Sequence, residues 1–175
     1  SMAIQLAKHF GAKVGTTTST GNVPWVLSLG ADEVVDYKKG AFEKELRGYD
    51  MVLGTLRDQE IEKAIGILKP GGKLVSLVGP LDAAFAKARN LNVVLRFVFG
   101  LMSRKVMKLA ARREVEYSFL FVRPDGAQLA EIGRLLQAQT IRPVIDKVFA
   151  FDQAPEALAY VAQGRSKGKV VVQLR

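Results

Sequence analysis

The 175-residue chain contains no cysteine and only one histidine, His9. Without cysteine it has neither a disulfide framework nor a thiolate metal site, and a single histidine cannot complete a zinc cluster, so no metal ligand is predicted. His9 falls near the end of a helical pattern, where a cation favours the helix dipole, and this indicates a surface role. No catalytic residue is predicted, and the lack of cysteine fits a reducing compartment such as the cytoplasm.

A long apolar run and an excess of acidic residues are missing as well. The longest apolar stretch, Leu91–Met102, is too short to span a bilayer and contains Arg96, so we expect a buried or interfacial helix and no membrane span. The N-terminal residues carry no signal-peptide pattern. The formal net charge of +9 indicates an anionic partner: a phosphorylated cofactor, nucleic acid or an acidic membrane.

The stretch from Tyr49 to Pro80 contains a strand, a helix and a second strand. Met51–Leu53 is a short apolar run near glycines, which is typical of a buried parallel strand. Apolar residues at helical spacing follow: Ile61, Ala64, Ile65 and Leu68. Pro70–Gly72 is predicted to end this helix before a second buried strand at Leu74–Val78. This arrangement favours an open α/β sheet with ligand chemistry at the carboxyl ends of its strands.

Helices and strands are predicted to alternate through the rest of the chain. Helices are expected over 2–10, 24–29, 42–46, 83–88, 93–113, 126–136 and 152–164, the last with Asp152 as its N-cap. Strands are expected over 12–17, 33–37, 115–122, 144–149 and 169–174. No repeat or low-complexity linker separates them, so we expect one α/β domain over residues 1–175.

Polar residues follow the strand predicted at 12–17. In a dinucleotide fold an acid at the end of the second strand accepts from both ribose hydroxyls and selects NAD, but here that position holds Thr17 or Thr18. Hydroxyl donors on Thr18 and Ser19 and the amide of Asn22 suit a 2′-phosphate, so NADP is the better fit. The alternative is a Ser/Thr loop that caps the next helix. Tyr37 either borders the same adenine pocket or is a surface tyrosine.

The glycine-rich turn of a dinucleotide site is absent from this sequence. A G-x-G-x-x-G turn between the first strand and the first helix holds the pyrophosphate, and the chain begins just after the place where that turn would lie. Lys69–Lys73 does not replace it, because this segment is better interpreted as a helix stop followed by a strand start. The predicted fold class is therefore α/β, a Rossmann-like doubly wound and mostly parallel sheet that lacks its first strand and glycine turn.

The chain resembles the medium-chain dehydrogenase/reductases, in their zinc-independent quinone-oxidoreductase-like branch. The resemblance covers essentially all residues and rests on an ordered set of short motifs: AIQLAKHFGAKV at 3–14, LGAD at 29–32, VDY at 35–37, LKPGGK at 68–73, IRPV at 141–144, APEAL at 154–158 and GKVV at 168–171. It implies an NADPH-dependent reductase of quinones, enones or similar electrophilic carbonyl compounds, with direct hydride transfer from cofactor to a small-molecule substrate.

The resemblance also implies the residues that bind NADP(H). The adenosine 2′-phosphate would be held by Thr18, Asn22 and Tyr37, at the loop that also contains Thr17 and Ser19. The nicotinamide would be flanked by Leu56 and by Val78, Gly79 and Pro80. Its carboxamide would meet the backbone of Leu120, Phe121 and Val122. Arg165 and Lys169 of the C-terminal basic turn would lie near the cofactor.

Three departures from the family pattern stand out. Many relatives have a lysine at the position of Asn22, and Arg57–Asp58 replaces a Gly-Gly pair. The GroES-like, barrel-shaped catalytic domain, the first nucleotide-binding strand and the glycine turn are missing. Because the first strand is central in a 3-2-1-4-5-6 sheet, we expect this chain to be an incomplete NADP-binding domain that is catalytically inert alone.

Two alternatives remain at this point. A strand followed by Leu-Lys-Pro-Gly-Gly and another strand also resembles S-adenosylmethionine-dependent methyltransferases, although threonines replace the acid expected after the second strand. The basic helix over Arg96–Arg113 allows a non-catalytic module for nucleic acid or membrane, but its aromatic residues are sparse, so no nucleic-acid partner is predicted. By resemblance we expect a homodimer formed through the edge strand at Val115–Val122.

Overall fold

The computed structural model describes residues 1–55 and 59–174, which divide into two compact units. The first unit comprises Ser1–Gly40 and Asp125–Arg175, and the second comprises Ala41–Pro124. Every strand pair in the described residues is parallel, and helices connect successive strands. The fold class is therefore α/β, as predicted.

The first unit contains two separate pairs of parallel strands. Its elements are α1 (Met2–His9), β1 (Gly15–Thr18), α2 (Val23–Ser28), β2 (Glu33–Asp36), α7 (Gly126–Gln137), β6 (Ile145–Ala150), α8 (Ala154–Ala162) and β7 (Lys169–Gln173). Strand β1 pairs with β2, and β6 pairs with β7. The buried side chains of Ile4, Val26 and Ala31 join α1 to α2.

The second unit is a three-stranded sheet covered by helices. Its elements are α3 (Phe42–Glu45), β3 (Tyr49–Gly54), α4 (Gln59–Gly66), β4 (Leu68–Ser76), α5 (Ala83–Ala88), α6 (Val93–Arg112) and β5 (Glu116–Phe119). The strand order is β3-β4-β5, so β4 is the middle strand. Side chains of α4 and α6 pack on Leu74 and Tyr117 to form the core of this unit.

The boundary between α4 and β4 differs from the prediction. The helix ends at Gly66, and Leu68 and Lys69–Gly72 already belong to the strand. The backbone after Gly66 is recruited by β3, because the Tyr49 amide donates to the Ile67 carbonyl at 3.1 Å and Tyr49 pairs with Leu68. Lys69–Gly72 is therefore an irregular stretch inside the ladder, opposite Asp50, rather than a helix stop.

The apolar run at Met51–Leu53 predicted a strand buried on both faces, but β3 is not. Val52 packs towards the core, whereas Met51 and Leu53 are exposed. Successive side chains in a strand point to opposite faces, and α4 covers only the face that contains Val52. The run was apolar enough for a buried strand, but only the face that carries Val52 packs on the core.

Smaller differences concern the ends of elements. Strand β4 ends at Ser76, and β5 is shorter than the predicted 115–122. The N-cap of α8 is Gln153, since Asp152 lies in a preceding 3-10 turn over Phe151–Gln153. Leu91–Met102 was predicted to be a buried or interfacial helix, and the buried alternative is wrong, because most of its apolar side chains are exposed along α6.

Candidate functional site

The loop after β1 gathers the polar residues predicted to hold a 2′-phosphate. Thr17 is exposed, whereas the Thr18 side chain is buried. The loop then turns through Ser19 to Asn22, and the Asn22 amide nitrogen Nδ2 donates to Ser19 Oγ at 3.3 Å. The backbone N–H of Asn22 also donates to the Ser19 carbonyl at 2.8 Å. Ser19 and Asn22 are thus brought together, and Thr17 is the accessible threonine of the strand end.

Tyr37 lies beside the same loop. Its backbone N–H donates to the Thr18 carbonyl at 3.1 Å, and its ring is exposed. The pairing of β1 with β2 causes this placement, because Thr18 lies opposite Asp36 in the parallel register. The structure therefore places Tyr37 next to the threonine loop with its ring exposed, which both the adenine-pocket and the surface interpretation allow.

Asp36 is a residue of this region that the sequence reasoning missed. Its carboxylate accepts from the Thr20 hydroxyl at 2.6 Å and from the Lys38 backbone N–H at 3.0 Å. The hydrogen bond from Thr20 is the main cause that holds the pKa of Asp36 below its ordinary value, and Lys39, with Nζ at 3.8 Å, lowers that pKa further. The position of Asp36 directly before Tyr37 and two lysines was the available signal.

The basic turn before β7 approaches the same loop in the first unit. Lys167 Nζ lies 3.5 Å from the Gly21 carbonyl oxygen, so its ammonium group sits at the threonine loop. Lys169 and Lys167 line a cavity of about 300 Å³, with Trp25 and Val144 among its apolar walls. Arg165 is exposed and does not line this cavity. Sequence reasoning named Arg165 and Lys169 but not Lys167.

In the second unit the carboxyl ends of all three strands lie side by side. The Leu77 N–H donates to the Gly54 carbonyl, and the Leu120 N–H donates to the Ser76 carbonyl, each at 2.9 Å. These bonds hold the starts of the segments that follow β4 and β5 at the same edge of the sheet. Leu56, predicted for the same site, lies outside the described residues, as do Arg57 and Asp58.

A buried polar cluster supports these strand ends. Ser76 Oγ accepts from the Gly79 N–H at 2.8 Å, and the Tyr117 hydroxyl donates to the Pro80 carbonyl at 2.8 Å. A β-carbon on Gly79 would lie 2.6 Å from both Ser76 Oγ and the Tyr117 hydroxyl oxygen. Only glycine fits this close approach, so the backbone of Val78–Pro80 is held against the end of β4.

Asp82 connects this cluster to the next strand end. Its buried carboxylate accepts from the Phe85 N–H at 2.6 Å, which caps α5, and from the Phe119 N–H at 3.3 Å. A buried carboxylate is stable when several donors satisfy its oxygens. Asp82 therefore fixes the start of α5 relative to the end of β5.

The Phe121 ring makes a cation–π contact with Arg89. The guanidinium carbon of Arg89 lies 4.9 Å from the Phe121 ring centroid and 5.6 Å from that of Phe85. Arg89 and Phe121 line a second cavity, of about 240 Å³, together with Leu120 and Arg123. Leu120 and Val122 are exposed. Arg89 was not identified from the sequence, although its spacing of four residues from Phe85 was a usable signal.

Burial raises the pKa of the Tyr117 phenol above its ordinary value of 10.0, and Asp82 adds to the rise, against a hydrogen bond with Ser76. Because its folded-state pKa is raised, Tyr117 contributes its full share to the free energy of unfolding at pH values below the unfolded-state pKa. This contribution is lost as the pH rises above about 10. We expect Tyr117→Phe to lower stability by about 1 kcal/mol at neutral pH, because the bond to Pro80 is lost.

The same variant should also make the alkaline decline in unfolding free energy shallower, as measured by urea denaturation between pH 7 and 11. Tyr37→Phe, which removes an exposed phenol, is the matched control. An alkaline decline identical in wild type and Tyr117→Phe would contradict the assignment of a raised pKa to Tyr117.

The donor set at the threonine loop fits a phosphorylated nucleotide. The loop carries hydroxyl and amide groups on Thr17, Ser19 and Asn22, and the Asp36 carboxylate beside it accepts from the Thr20 hydroxyl. Lys167 adds a cation at the loop. Charged donors to phosphate give stronger hydrogen bonds than neutral ones, so this arrangement favours an anionic ligand group.

The family comparison decides the class of protein. A model of the zinc-binding dehydrogenase family matches residues 29–172. The chain belongs to this family. It corresponds to the nucleotide-binding part of the medium-chain dehydrogenase/reductases, which is the resemblance found in the sequence. The family assignment removes the ground for the methyltransferase alternative.

Two curated relatives of this dehydrogenase-family chain are named as an oxidoreductase and a reductase. It is 34% identical to the mitochondrial NAD(P)H oxidoreductase RTN4IP1 of Danio rerio over 99% of this chain and 46% of that protein. It is also 34% identical to the 2-methylene-furan-3-one reductase of Solanum lycopersicum, over 98% of this chain and 37% of that protein. The chain thus spans less than half the length of these relatives.

Among solved structures, the fold is shared with the quinone oxidoreductase from Coxiella burnetii. The TM-score is 0.75 at 23% identity, over 99% of this chain and 49% of that one. The Rossmann-like fold is thereby confirmed. The family description mentions zinc, but within residues 1–55 and 59–174 no group of three or more His, Cys, Asp or Glu side chains is arranged to hold a metal.

Proposed function

We propose that this chain is the NADP(H)-binding part of an NADPH-dependent oxidoreductase that reduces quinones, enones or related electrophilic carbonyl compounds by hydride transfer. The observation that carries the proposal is the threonine loop after β1, found in a chain of the zinc-binding dehydrogenase family. The names of two relatives, an NAD(P)H oxidoreductase and a 2-methylene-furan-3-one reductase, support the reaction class.

The loop accounts for a preference for NADP over NAD. An acid after this strand would repel a 2′-phosphate, and the loop offers hydroxyl and amide groups of Thr17, Ser19 and Asn22 instead. Thr18 acts through its backbone in this proposal, because its side chain is buried. Lys167 supplies a cation beside Gly21, in a loop where many family members have a lysine at the position of Asn22.

The strand ends of the second unit are proposed to border the nicotinamide, whose hydride is the chemistry that the cofactor supplies when bound. Val78, Gly79 and Pro80 form a rigid wall because the Ser76 and Tyr117 hydroxyls hold their backbone. Leu120–Val122 would offer backbone groups to the carboxamide. Leu56, Arg165 and Lys169 belong to the same proposal, and Lys169 lines the cavity at the basic turn.

The wider organisation follows from the same proposal. Residues 1–175 would be an NADP-binding domain without its first strand and glycine turn, completed in the whole enzyme by a GroES-like domain that contributes most of the pocket for the electrophilic substrate. A homodimer through the edge at β5 is proposed. That strand pairs on one side with β4, and no second strand among the described residues pairs with it.

No helix within the described residues has the length and apolar character needed to cross a bilayer. A cytoplasmic location stays a prediction. The RTN4IP1 relative has a name that places it in mitochondria.

Titration calorimetry with 2′,5′-ADP and 5′-AMP tests the cofactor preference. Charge-assisted hydrogen bonds contribute about 1.5 to 3 kcal/mol, so we expect 2′,5′-ADP to bind at least about tenfold more tightly. Asn22→Lys should raise affinity for 2′,5′-ADP by up to about fivefold and leave 5′-AMP unchanged, whereas the exposed control Lys44→Ala should affect neither. Equal affinity for 2′,5′-ADP and 5′-AMP would contradict the proposed preference for NADP.

Turnover assays test the proposal that the chain is inert alone. A verified 175-residue monomer, checked by intact mass, is expected to show no NADPH oxidation with a quinone or an enone. Steady NADPH oxidation by that monomer would refute the incomplete-domain proposal.

A further inference from the structure

Helix α6 carries an outward ridge that the proposed function does not use. Its 20 residues, Val93–Arg112, contain no aspartate or glutamate. Ser103, Val106 and Ala110 are buried against the second unit, so the side of the helix opposite them faces outwards. This outward ridge is defined by Val93, Val94, Phe97 and Leu101 in the first half and Arg104, Lys105, Lys108 and Arg112 in the second.

The first half of the ridge is apolar and strongly exposed. Val93 is 76% exposed, Phe97 72% and Leu101 59%, and they recur every four residues along one side. Val94, at 69%, broadens the patch. A contiguous apolar patch of this kind, as opposed to single exposed side chains, marks a contact surface. Val93 and Leu101 are about 12 Å apart along the axis, which is two turns of helix.

The second half of the ridge is cationic. Lys105 pairs with Glu62 at 2.5 Å. Arg104, Lys108 and Arg112 are exposed, and no ion pair is found for them within residues 1–55 and 59–174. The same side of one helix therefore presents apolar groups followed by unneutralised cations, with no acidic residue of its own.

We propose that the outward ridge of α6 docks on the surface of an anionic lipid membrane. Helices that lie in a bilayer interface bury an apolar face at the headgroup boundary and add cations that attract anionic lipids. The side chains of Phe97 and Leu101 would enter the acyl boundary, while Arg104, Lys108 and Arg112 extend to the phosphates, because long cationic side chains keep their charge at the headgroup level.

The charge of the ridge favours an anionic membrane over a second copy of the chain or a nucleic acid. A second copy of the chain in parallel alignment would bring like cations together, and in antiparallel alignment would set cations over the apolar patch, so self-association leaves one half of the ridge unsatisfied. A nucleic acid would satisfy the cations but leave Val93 and Phe97 exposed to water. An anionic bilayer satisfies both halves at once.

Vesicle co-sedimentation of the 175-residue chain tests the proposal. Extruded vesicles of phosphatidylcholine alone are compared with vesicles containing 30% phosphatidylglycerol in about 0.1 M salt. Each cation near an anionic surface contributes about fivefold in binding, so the three cations Arg104, Lys108 and Arg112 should raise the partition coefficient on anionic vesicles by about a hundredfold. Equal binding to both vesicle types, or to neither, would overturn the proposal.

Variants separate the two halves of the ridge. Phe97→Glu and Lys108→Glu are each expected to reduce binding to anionic vesicles by at least about fivefold. The matched controls are Leu129→Glu on α7 and Lys44→Glu on α3, which change exposed residues outside α6 and should reduce binding by less than about twofold. Circular dichroism checks that each variant is folded, which the exposure of these residues leads us to expect.

Two outcomes would assign the ridge to another occupant. Concentration-dependent dimerisation that Phe97→Glu abolishes, without vesicle binding, would indicate a second copy. Salt-sensitive retention on DNA that Lys108→Glu weakens and Phe97→Glu does not, without vesicle binding, would indicate nucleic acid. Either result overturns membrane docking and leaves the test of NADP binding unaffected, because that test uses the loop after β1.

Discussion

Gly168→Ala is expected to lower the free energy of unfolding by about 3 kcal/mol, at the upper end for overpacked sites. A β-carbon at Gly168 would lie 2.9 Å from both the carbonyl carbon and Cγ1 of Val144, and closer still to the Val144 carbonyl oxygen. That oxygen also accepts the Lys169 N–H at 2.7 Å, so the backbone cannot move away without loss of this bond. Urea denaturation measures the change as a lower midpoint.

Gly133→Ala is the matched control for this change. Gly133 lies inside α7, and a β-carbon there meets nothing within 4 Å. Alanine is the better helix former, so this variant should gain about 0.5 to 1 kcal/mol. If Gly168→Ala were as stable as Gly133→Ala, the close approach of β7 to Val144 would have to be abandoned.

Leu74→Ala is expected to cost about 2 to 5 kcal/mol of unfolding free energy, as truncations in a protein core do. Leu74 is 1% exposed in the middle strand of the second unit and packs with Ile61, Ile65 and Val106. Removal of the γ-carbon and its two methyl groups there leaves a cavity among α4, α6 and β4. The change in urea midpoint at constant slope gives the cost.

Leu53→Ala is the corresponding control on the neighbouring strand. The same residue type is 45% exposed there, so its truncation should cost about 1 kcal/mol or less. Equal losses at Leu74 and Leu53 would mean that the core of this unit does not lie on the α4 and α6 side of the sheet.

Local pattern was sufficient for the existence of most elements. The i, i+3, i+4 spacing of Ile61, Ala64 and Ile65 predicted α4, and all three are buried. Asp125, Pro124 and Gly126 predicted the start of α7, where Asp125 Oδ1 accepts from the Gln128 N–H. These signals work because caps and amphipathic spacing act over one or two turns of the same segment.

Element ends and burial were harder to predict for one physical reason. The α4–β4 boundary depends on Tyr49, which lies 19 residues before Leu68 in the sequence and pairs with it in the sheet. The exposure of Met51 and Leu53 depends on which face of the sheet packs on the core. Neither property is carried by the residues themselves, because both depend on pairing between distant segments.

The residues of the candidate site also fall into two groups: those that could be named from the sequence and those whose contacts depend on the fold. The polar loop after β1 and the strand end at Gly79 could be named from residue types and order, and the basic turn was named from the family resemblance. The contacts of Asp36 with Thr20, of Lys167 with Gly21 and of Arg89 with Phe121 could not, since folding brings each pair together.

The sequence by itself determined the family, the α/β class and the absence of cysteine-based metal chemistry, because motif order and composition do not depend on packing. Only the tertiary structure decided which faces are covered. Helix α6 has enough apolar residues for a buried helix, yet Val93 and Phe97 face outwards while Ser103 and Ala110 face the core. Burial is a property of neighbours, and the neighbours of a helix are set by the fold rather than by its own residues.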